Sequence, residues 1–396
     1  MSWRSAVLVT GFVLAALNLR PAIAGVSPLL DEIMKDVGLS PAGGGGVTTV
    51  MVVCLGVFGP VTPLLARRFG LDRTLLAGLL VIAAGVTLRG LDGAPVLYLG
   101  SALAATAIAV MNVSMPAVVK EHFPTRVNLM TGVYVAAVVA GATLASGLVV
   151  PIEHATGYGW RGVSALLAVP ALLAALLWLP QALRKQSGAQ NGPRPFGVVL
   201  RSPVTWSVTA LMGLQSLTFY VMLAWLPTIF LEAGLPADQA GYLLSLTNLV
   251  QVGTSLAIPV LAGRRASQVP YVVGAGVLTV LGYLGMLLAP TAAPWLWMIV
   301  LGIGQGASFA LALLIIALRP ADPATVTALS AVAQSVGYAI AAVGPLLFGF
   351  LREVSGGWTV PLLAGLGVLV VQIAAGWFAG RPATLGKANL WGDSGC

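Results

Sequence analysis

The chain has 396 residues, 58% of them hydrophobic and 8% charged, with a formal net charge of +8. Soluble proteins carry roughly 25% charged residues, and a water-soluble fold could not hide this much apolar surface, so a lipid-embedded chain is expected. The basic balance does not mark a nucleic-acid binder, because no long basic tail occurs and Lys and Arg are not interleaved with aromatics.

Backbone amides in lipid must be satisfied within their own segment, so long apolar runs predict helices, each needing about 20 residues to span. The nearly charge-free runs 5–30, 37–66, 74–88, 93–119, 127–152 and 162–183 predict spans 1 to 6. The first is as long as a full span and is followed by others, so it reads as a retained helix rather than a removable leader. Span 3 is short and needs Arg89 to snorkel from its end. A polar stretch follows at 184–201. Runs 202–231, 239–263, 266–318, 323–351 and 354–380 come next. The run 266–318 is too long for one span and breaks between Pro290 and Pro294, a turn signal. This gives spans 7 to 12. The organisation expected is a six-helix bundle over 1–183, a cytoplasmic linker at 184–201, a second six-helix bundle over 202–380 and a cytoplasmic tail at 381–396. The fold class is an all-α membrane protein of twelve transmembrane helices in two six-helix repeats.

Lys and Arg in short loops set orientation. With both termini cytoplasmic, fifteen of the twenty basic residues face the cytoplasm and only Lys35, Arg89, Arg161 and Arg352 face outward. Arg20 alone is left inside the membrane. The basic charge is therefore a topology signal, and the location expected is a bacterial inner membrane crossed many times.

The two halves resemble each other at an offset of about 195 to 199 residues. Span 4 opens with Pro95-Val96-Leu97-Tyr98 and span 10 with Pro294-Trp295-Leu296-Trp297. Gly159-Trp160 enters span 6 and Gly357-Trp358 enters span 12. Span 2 ends in Ala66-Arg67-Arg68 and span 8 in Gly263-Arg264-Arg265. Parallel six-helix repeats place a solute site between the halves near the midplane.

Arg20 is the sharpest chemical signal. A mid-membrane arginine costs at least ~2.5–3.5 kcal/mol, so it should face a water-filled cavity and bind something negative or strongly dipolar. Pro21 follows it and frees a carbonyl one turn earlier, which favours a locally opened helix. The competing reading is purely structural, with Arg20 satisfying helix carbonyls or tying the halves together. No Asp or Glu lies in the central part of any span. Asp31, three turns further on, would share Arg20's helical face about 16 Å away, too far for an ion pair. Asp31 and Glu32 are the candidate proton-coupling carboxylates of this span, although solvated residues at its outer end would look the same. Asn18, Asn112, Tyr134, Gln215, Phe219, Gln251, Gln334 and Tyr338 sit at depth in spans 1, 4, 5, 7, 8 and 11 and are candidates to line a polar cavity; amides in spans also serve as interhelical glue. The small residues Ala136, Ala137, Ala140 and Gly141 of span 5 predict close helix packing.

Residues 43–46 are four glycines but lack the Lys-Ser/Thr of a phosphate loop, and neither HExxH nor GxSxG occurs. No enzyme activity, cofactor or metal is expected. Cys54 and Cys396 predict no disulfide framework.

Several segments resemble the cyanate and 2-nitroimidazole transporter branch of the major facilitator superfamily. They are LNLRPAIAGVSPLLDEI at 17–33, Gly85-Val86-Thr87-Leu88-Arg89, Asn112-Val113-Ser114-Met115-Pro116, GLQSLTFYVMLAWLPTIFLEAGL at 213–235 and AGYLLSL at 240–246. The resemblance implies the major facilitator fold and a secondary active transporter working by alternating access on a small anion or small polar nitrogenous solute. The partners expected are that solute and the bilayer, with no nucleic acid, and the chain should act as a monomer. Two departures stand out. Arg67 occupies the position where the loop after span 2 usually carries an acid, and Gly344-Pro345 lies in span 11 whereas the antiporter signature belongs in span 5. The rival reading, a proton-coupled multidrug exporter, asks for a buried acid that the spans do not supply.

Overall fold

A computed structural model describes residues 3–39, 41–184 and 195–385. Among the described residues, twelve helices are long and apolar enough to cross a bilayer: Ala6–Leu29, Gly46–Phe69, Leu71–Arg89, Ala94–His122, Val127–Thr156 and Gly159–Ala182, then Pro203–Glu232, Gln239–Ala262, Val269–Leu288, Pro294–Leu318, Pro323–Ser355 and Thr359–Gly380. These are spans 1 to 12. The only β pairing among the described residues is one isolated bridge, Pro320 with Leu385. Span 3 is a full-length helix because it starts before the charge-free run and takes Asp72 and Arg73 into its first turn. Within the expected linker, Pro195–Arg201 forms a short helix; the rest, 185–194, and the tail from 386 lie outside the described residues.

Helix order alternates the chain between two ends. The end that carries the segment between spans 6 and 7 is here termed the linker end. Spans 4 and 10 are the central pillars, 83% and 78% buried over their most apolar stretch, against 28% for spans 2 and 8. Small residues make this crowding feasible. A Cβ on Gly100 of span 4 would lie 2.6 Å from the Gly85 carbonyl of span 3, and one on Gly304 of span 10 would lie 2.8 Å from the Ala275 carbonyl of span 9. In lipid, where burial of apolar surface does not drive helices together, such backbone approach supplies the packing energy.

The internal repeat extends to side-chain contacts. At the end opposite the linker, the Trp160 indole donates to Asp36 Oδ2 at 2.9 Å and the Trp358 indole to Glu232 Oε2 at 2.9 Å. Each acid follows or ends the first span of its half, and each tryptophan opens the last. At the linker end, His122 Nε2 lies 2.7 Å from Asp72 Oδ1, and Arg319 Nη2 donates to Gln268 Oε1 at 2.7 Å. Both contacts join the end of a pillar to the start of the preceding span.

Two arginines differ from their expected places. Arg89 does not snorkel outward. It is buried, 1% exposed, and its Nη1 donates to the Ala22 carbonyl at 2.6 Å. Arg20 is therefore not the only arginine within the spans. Arg319, read as a loop residue, is also buried and donates twice to the Ala379 carbonyl, at 3.1 and 3.0 Å. In both cases the guanidinium fork reaches carbonyls near a helix break or end, where backbone acceptors have lost their intrahelical partners.

Candidate functional site

Span 1 is not one helix. An α-helix runs from Trp3 to Leu17, a turn carries Asn18 to Arg20, a single turn follows at Pro21–Ala24, and Ser27–Leu29 is a 3-10 turn. Arg20 sits at the break with φ −124° and ψ −29°. The cause is local. Pro21 has no N–H, and its ring displaces the carbonyl four residues back, that of Leu17. That carbonyl lies against Gly141 of span 5, close enough that a Cβ there would be 2.2 Å away. The Asn18 amide donates to the Leu14 carbonyl at 2.8 Å and to the Pro170 carbonyl of span 6 at 3.1 Å. Arg89 holds the Ala22 carbonyl beyond the break. Spans 3, 5 and 6 thus fix the opened backbone from three sides.

The break aims Arg20 at the other half. Its Nη1 donates to Tyr220 Oη of span 7 at 3.0 Å. Tyr134 of span 5 and Tyr338 of span 11 are both buried and within electrostatic reach of the guanidinium. Phe219 packs edge-on against Tyr220, with ring centroids 5.3 Å apart. Among the described residues no carboxylate forms an ion pair with Arg20. A guanidinium, three phenols and an aromatic edge at mid-membrane can engage a small planar anion or a nitro group by charge-assisted hydrogen bonds and ring contact. Tyr220 carried no assignment in the sequence reading. It sits inside an aromatic run, and nothing local marks the phenol that meets a residue 200 positions away.

The remaining candidates are placed differently. Asn18 is spent on carbonyls, as above. Gln215 donates to the Met212 carbonyl at 3.1 Å and to Ser216 Oγ at 2.6 Å. Gln334 donates to the Asn112 carbonyl at 3.0 Å and to Ser330 Oγ at 2.8 Å, so it bridges spans 11 and 4. The Asn112 and Gln251 side chains are buried, Gln251 where span 8 presses on Gly306 of span 10. The Asp31 side chain lies outside the described residues. Because the helix breaks, straight-helix reckoning does not place Asp31 on Arg20's face. Glu32 lies beside Glu153 of span 5. The Gly and Ala run of span 5 packs closely, as Gly141 shows. One cluster, Asp72, Glu121 and His122, brings three metal-type ligand atoms within 4.8 Å of one another at the linker end; two of these atoms already bond each other, as described.

The two halves meet chiefly on the linker side of Arg20. Lys120 of span 4 donates to the Ala317 carbonyl at 3.2 Å and to the Pro320 carbonyl, at the end of span 10. A Cβ on Gly132 of span 5 would lie 2.6 Å from the Leu256 carbonyl of span 8, and one on Gly59 of span 2 would lie 2.3 Å from Ser335 Oγ of span 11. With the Gln334 bridge, these contacts close the linker end below the site.

A family profile of the Major Facilitator Superfamily matches residues 6–342. A protein of Escherichia coli (strain K12) named 2-nitroimidazole transporter is 36% identical over 378 residues, covering 95% of each chain. The cyanate transport protein CynX of the same organism is 30% identical over 368 residues, covering 91% of this chain and 95% of the relative. Among solved structures, the proton:xylose symporter XylE bound to 6-bromo-6-deoxy-D-glucose superposes with a TM-score of 0.75 at 12% identity, over 97% of this chain and 98% of the other. That last likeness concerns the fold alone.

Proposed function

The chain belongs to the major facilitator superfamily, and from that premise we propose that it is a secondary active transporter for a small anion or small polar nitrogenous solute, cyanate-like or nitroimidazole-like. The observation that carries the reading is the position of Arg20. It stands at a helix break at mid-depth, hydrogen-bonded across the halves to the Tyr220 phenol and, among the described residues, ion-paired to no acid. A solute with a negative end competes with Tyr220 for the guanidinium, so binding and the approach of the two halves draw on the same group. The names of the two Escherichia coli relatives agree with this chemistry. Alternating access follows if the contacts at the linker end open while the outer end closes around the site. The bias of basic residues puts the linker end, and both termini, in the cytoplasm of a bacterial inner membrane. Asp31 and Glu32 of span 1 are the carboxylates to test for proton coupling, and Glu32 has Glu153 of span 5 beside it.

The test is uptake into proteoliposomes of labelled cyanate and labelled 2-nitroimidazole, with and without an imposed pH gradient, by wild type and Arg20→Ala. Saturable uptake by wild type and its loss in a variant that is still monodisperse are expected. Wild-type rates in Arg20→Ala would remove Arg20 from the site, and no uptake of either compound would remove the solute class.

A further inference from the structure

We propose that the linker-end leaflet places an anionic phospholipid in a trough on the outer face of spans 2, 3 and 4. The trough has a volume of about 440 Å³ and is almost wholly apolar. Phe69 closes span 2, Ala77 and Val81 form the floor on span 3, Thr106 and Val110 form the wall on span 4, and Arg73 stands at the mouth. It exists because span 3 presents a small residue, Ala77, between its larger neighbours. The packing beneath is tight, with Gly78 lying directly on Met111 of span 4.

Three observations identify the occupant. First, the trough opens to lipid. Phe69 at the end of span 2 and Val81 of span 3 are 47% and 37% exposed, on two helices long and apolar enough to cross the bilayer. Second, its length fits one leaflet. Arg73 to Val81 is eight residues of helix, about 12 Å, against about 15 Å for half the hydrocarbon core. Third, its mouth is positive. Arg67, Arg68 and Arg73 are exposed there, the Arg68 guanidinium rests 5.3 Å from the centre of the Phe69 ring, and Arg73 Nε is steadied by the Ala182 carbonyl at 3.2 Å. Of the two acids nearby, Asp72 is turned inward to His122, and Glu121 is exposed beside it, one negative charge against three positive ones. An acyl chain in the trough with a phosphate among these arginines satisfies both surfaces; basic pockets beside spans on this side of a membrane suit anionic headgroups.

The second half contains its own control. At the matching place, Arg265 borders a cavity of about 380 Å³ whose lining is Ala266, Ser267, Pro270 and Tyr271. It has the charge but no apolar floor running into the bilayer. Charge without a trough should bind lipid headgroups only loosely.

The experiment uses the purified full chain, stripped of lipid in detergent and titrated with phosphatidylglycerol or phosphatidylcholine of identical acyl chains. Bound lipid is counted by native mass spectrometry and the thermal midpoint is followed in parallel. Wild type should retain phosphatidylglycerol with a preference of roughly tenfold. The double variant Arg68→Gln, Arg73→Gln should lose that preference. Ala77→Phe, which fills the floor and keeps every charge, should lower retention of both lipids. Arg264→Gln with Arg265→Gln should change nothing, and neither should soluble glycerol phosphate. Equal retention of the two lipids by wild type would overturn the proposal. So would retention unaffected by Ala77→Phe, or a loss in the Arg264, Arg265 pair as large as in the Arg68, Arg73 pair; either result would reduce the trough to diffuse surface charge. A stabilisation by glycerol phosphate equal to that by the lipid would make it a site for free phosphate.

Discussion

Arg20 and Arg89 show what a sequence reveals at the scale of one residue. Arg20 stood out because a charge in the middle of an apolar run needs a polar partner, either a cavity or a tie across the halves. Arg89 did not, because it stands at the end of its run, where an outward snorkel costs little and reads equally well. Its real partner, the Ala22 carbonyl, exists only because span 1 breaks 67 residues earlier. Within Arg89, Nε is buried with no hydrogen-bond partner, so the group stays for the one bond it makes. Truncation and isosteric replacement should therefore separate. Arg89→Ala strands the Ala22 carbonyl and leaves a void; an unsatisfied buried acceptor costs about 1–3 kcal/mol, and thermal unfolding in detergent should show a midpoint several degrees lower. Arg89→Met strands the same carbonyl but fills the space with an apolar chain, so its midpoint should fall less than that of Arg89→Ala. Uptake should nevertheless fall in Arg89→Met, because the backbone next to Arg20 has lost a tie. Full uptake in Arg89→Met would show that the tie at Ala22 does not position the site.

At the scale of the element, the break in span 1 was readable from Pro21, but what holds it was not. Proline dictates that the Leu17 carbonyl is freed; it does not say which neighbour receives it. That neighbour is Gly141, and the small-residue run of span 5 pointed to close packing without naming the partner. The same limit applied to the amides. Asn18 and Gln215 sit at corresponding places in the two halves, and each turns its side-chain nitrogen back to a carbonyl of its own helix. Periodicity put them at depth, but only tertiary packing could decide between lining a cavity and mending a helix. Gly141 supplies the sharper test. A Cβ at this position would lie 2.2 Å from a backbone oxygen that cannot move without shifting the break. Gly141→Ala should destabilise by about 1–3 kcal/mol, the usual cost of overpacking a close contact, seen as a lower thermal midpoint. It should also weaken uptake, since Arg20 is three residues from the displaced carbonyl. An unchanged midpoint would mean that spans 1 and 5 can part freely, and that the contact does not set the break.

The architecture of the whole molecule was the most legible level. Twelve apolar runs and a repeat near 197 residues determine where each helix goes, because a bilayer admits few alternatives. The sequence was silent on which contacts hold the halves together. The loop after span 2 carries Arg67 where the family resemblance leads one to expect an acid. The structure has a different device at the same end: Lys120 of the first half reaches the terminal carbonyls of span 10, where a helix presents its negative pole. Gly132 lets spans 5 and 8 touch at the same level. Both contacts join the halves at the linker end, so on the alternating-access reading proposed above, weakening either should shift the population of states rather than unfold either half. A reporter follows from the seam itself. Ser335 is buried against Gly59, so a Ser335→Cys substitution in a background with Cys54→Ala and Cys396→Ala places a thiol where the halves part. In inverted vesicles, a membrane-impermeant maleimide should label this thiol slowly. Adding Lys120→Ala removes one charge-assisted hydrogen-bond donor, worth about 1.5–3 kcal/mol, and should raise the labelling rate roughly tenfold or more if the closed state dominates. Adding Gly132→Ala should do the same by forcing spans 5 and 8 apart, with a thermal midpoint closer to wild type than that of Gly141→Ala. Labelling that stays slow in both variants would show that the linker end is held by the wider apolar seam, and that Lys120 is not its latch.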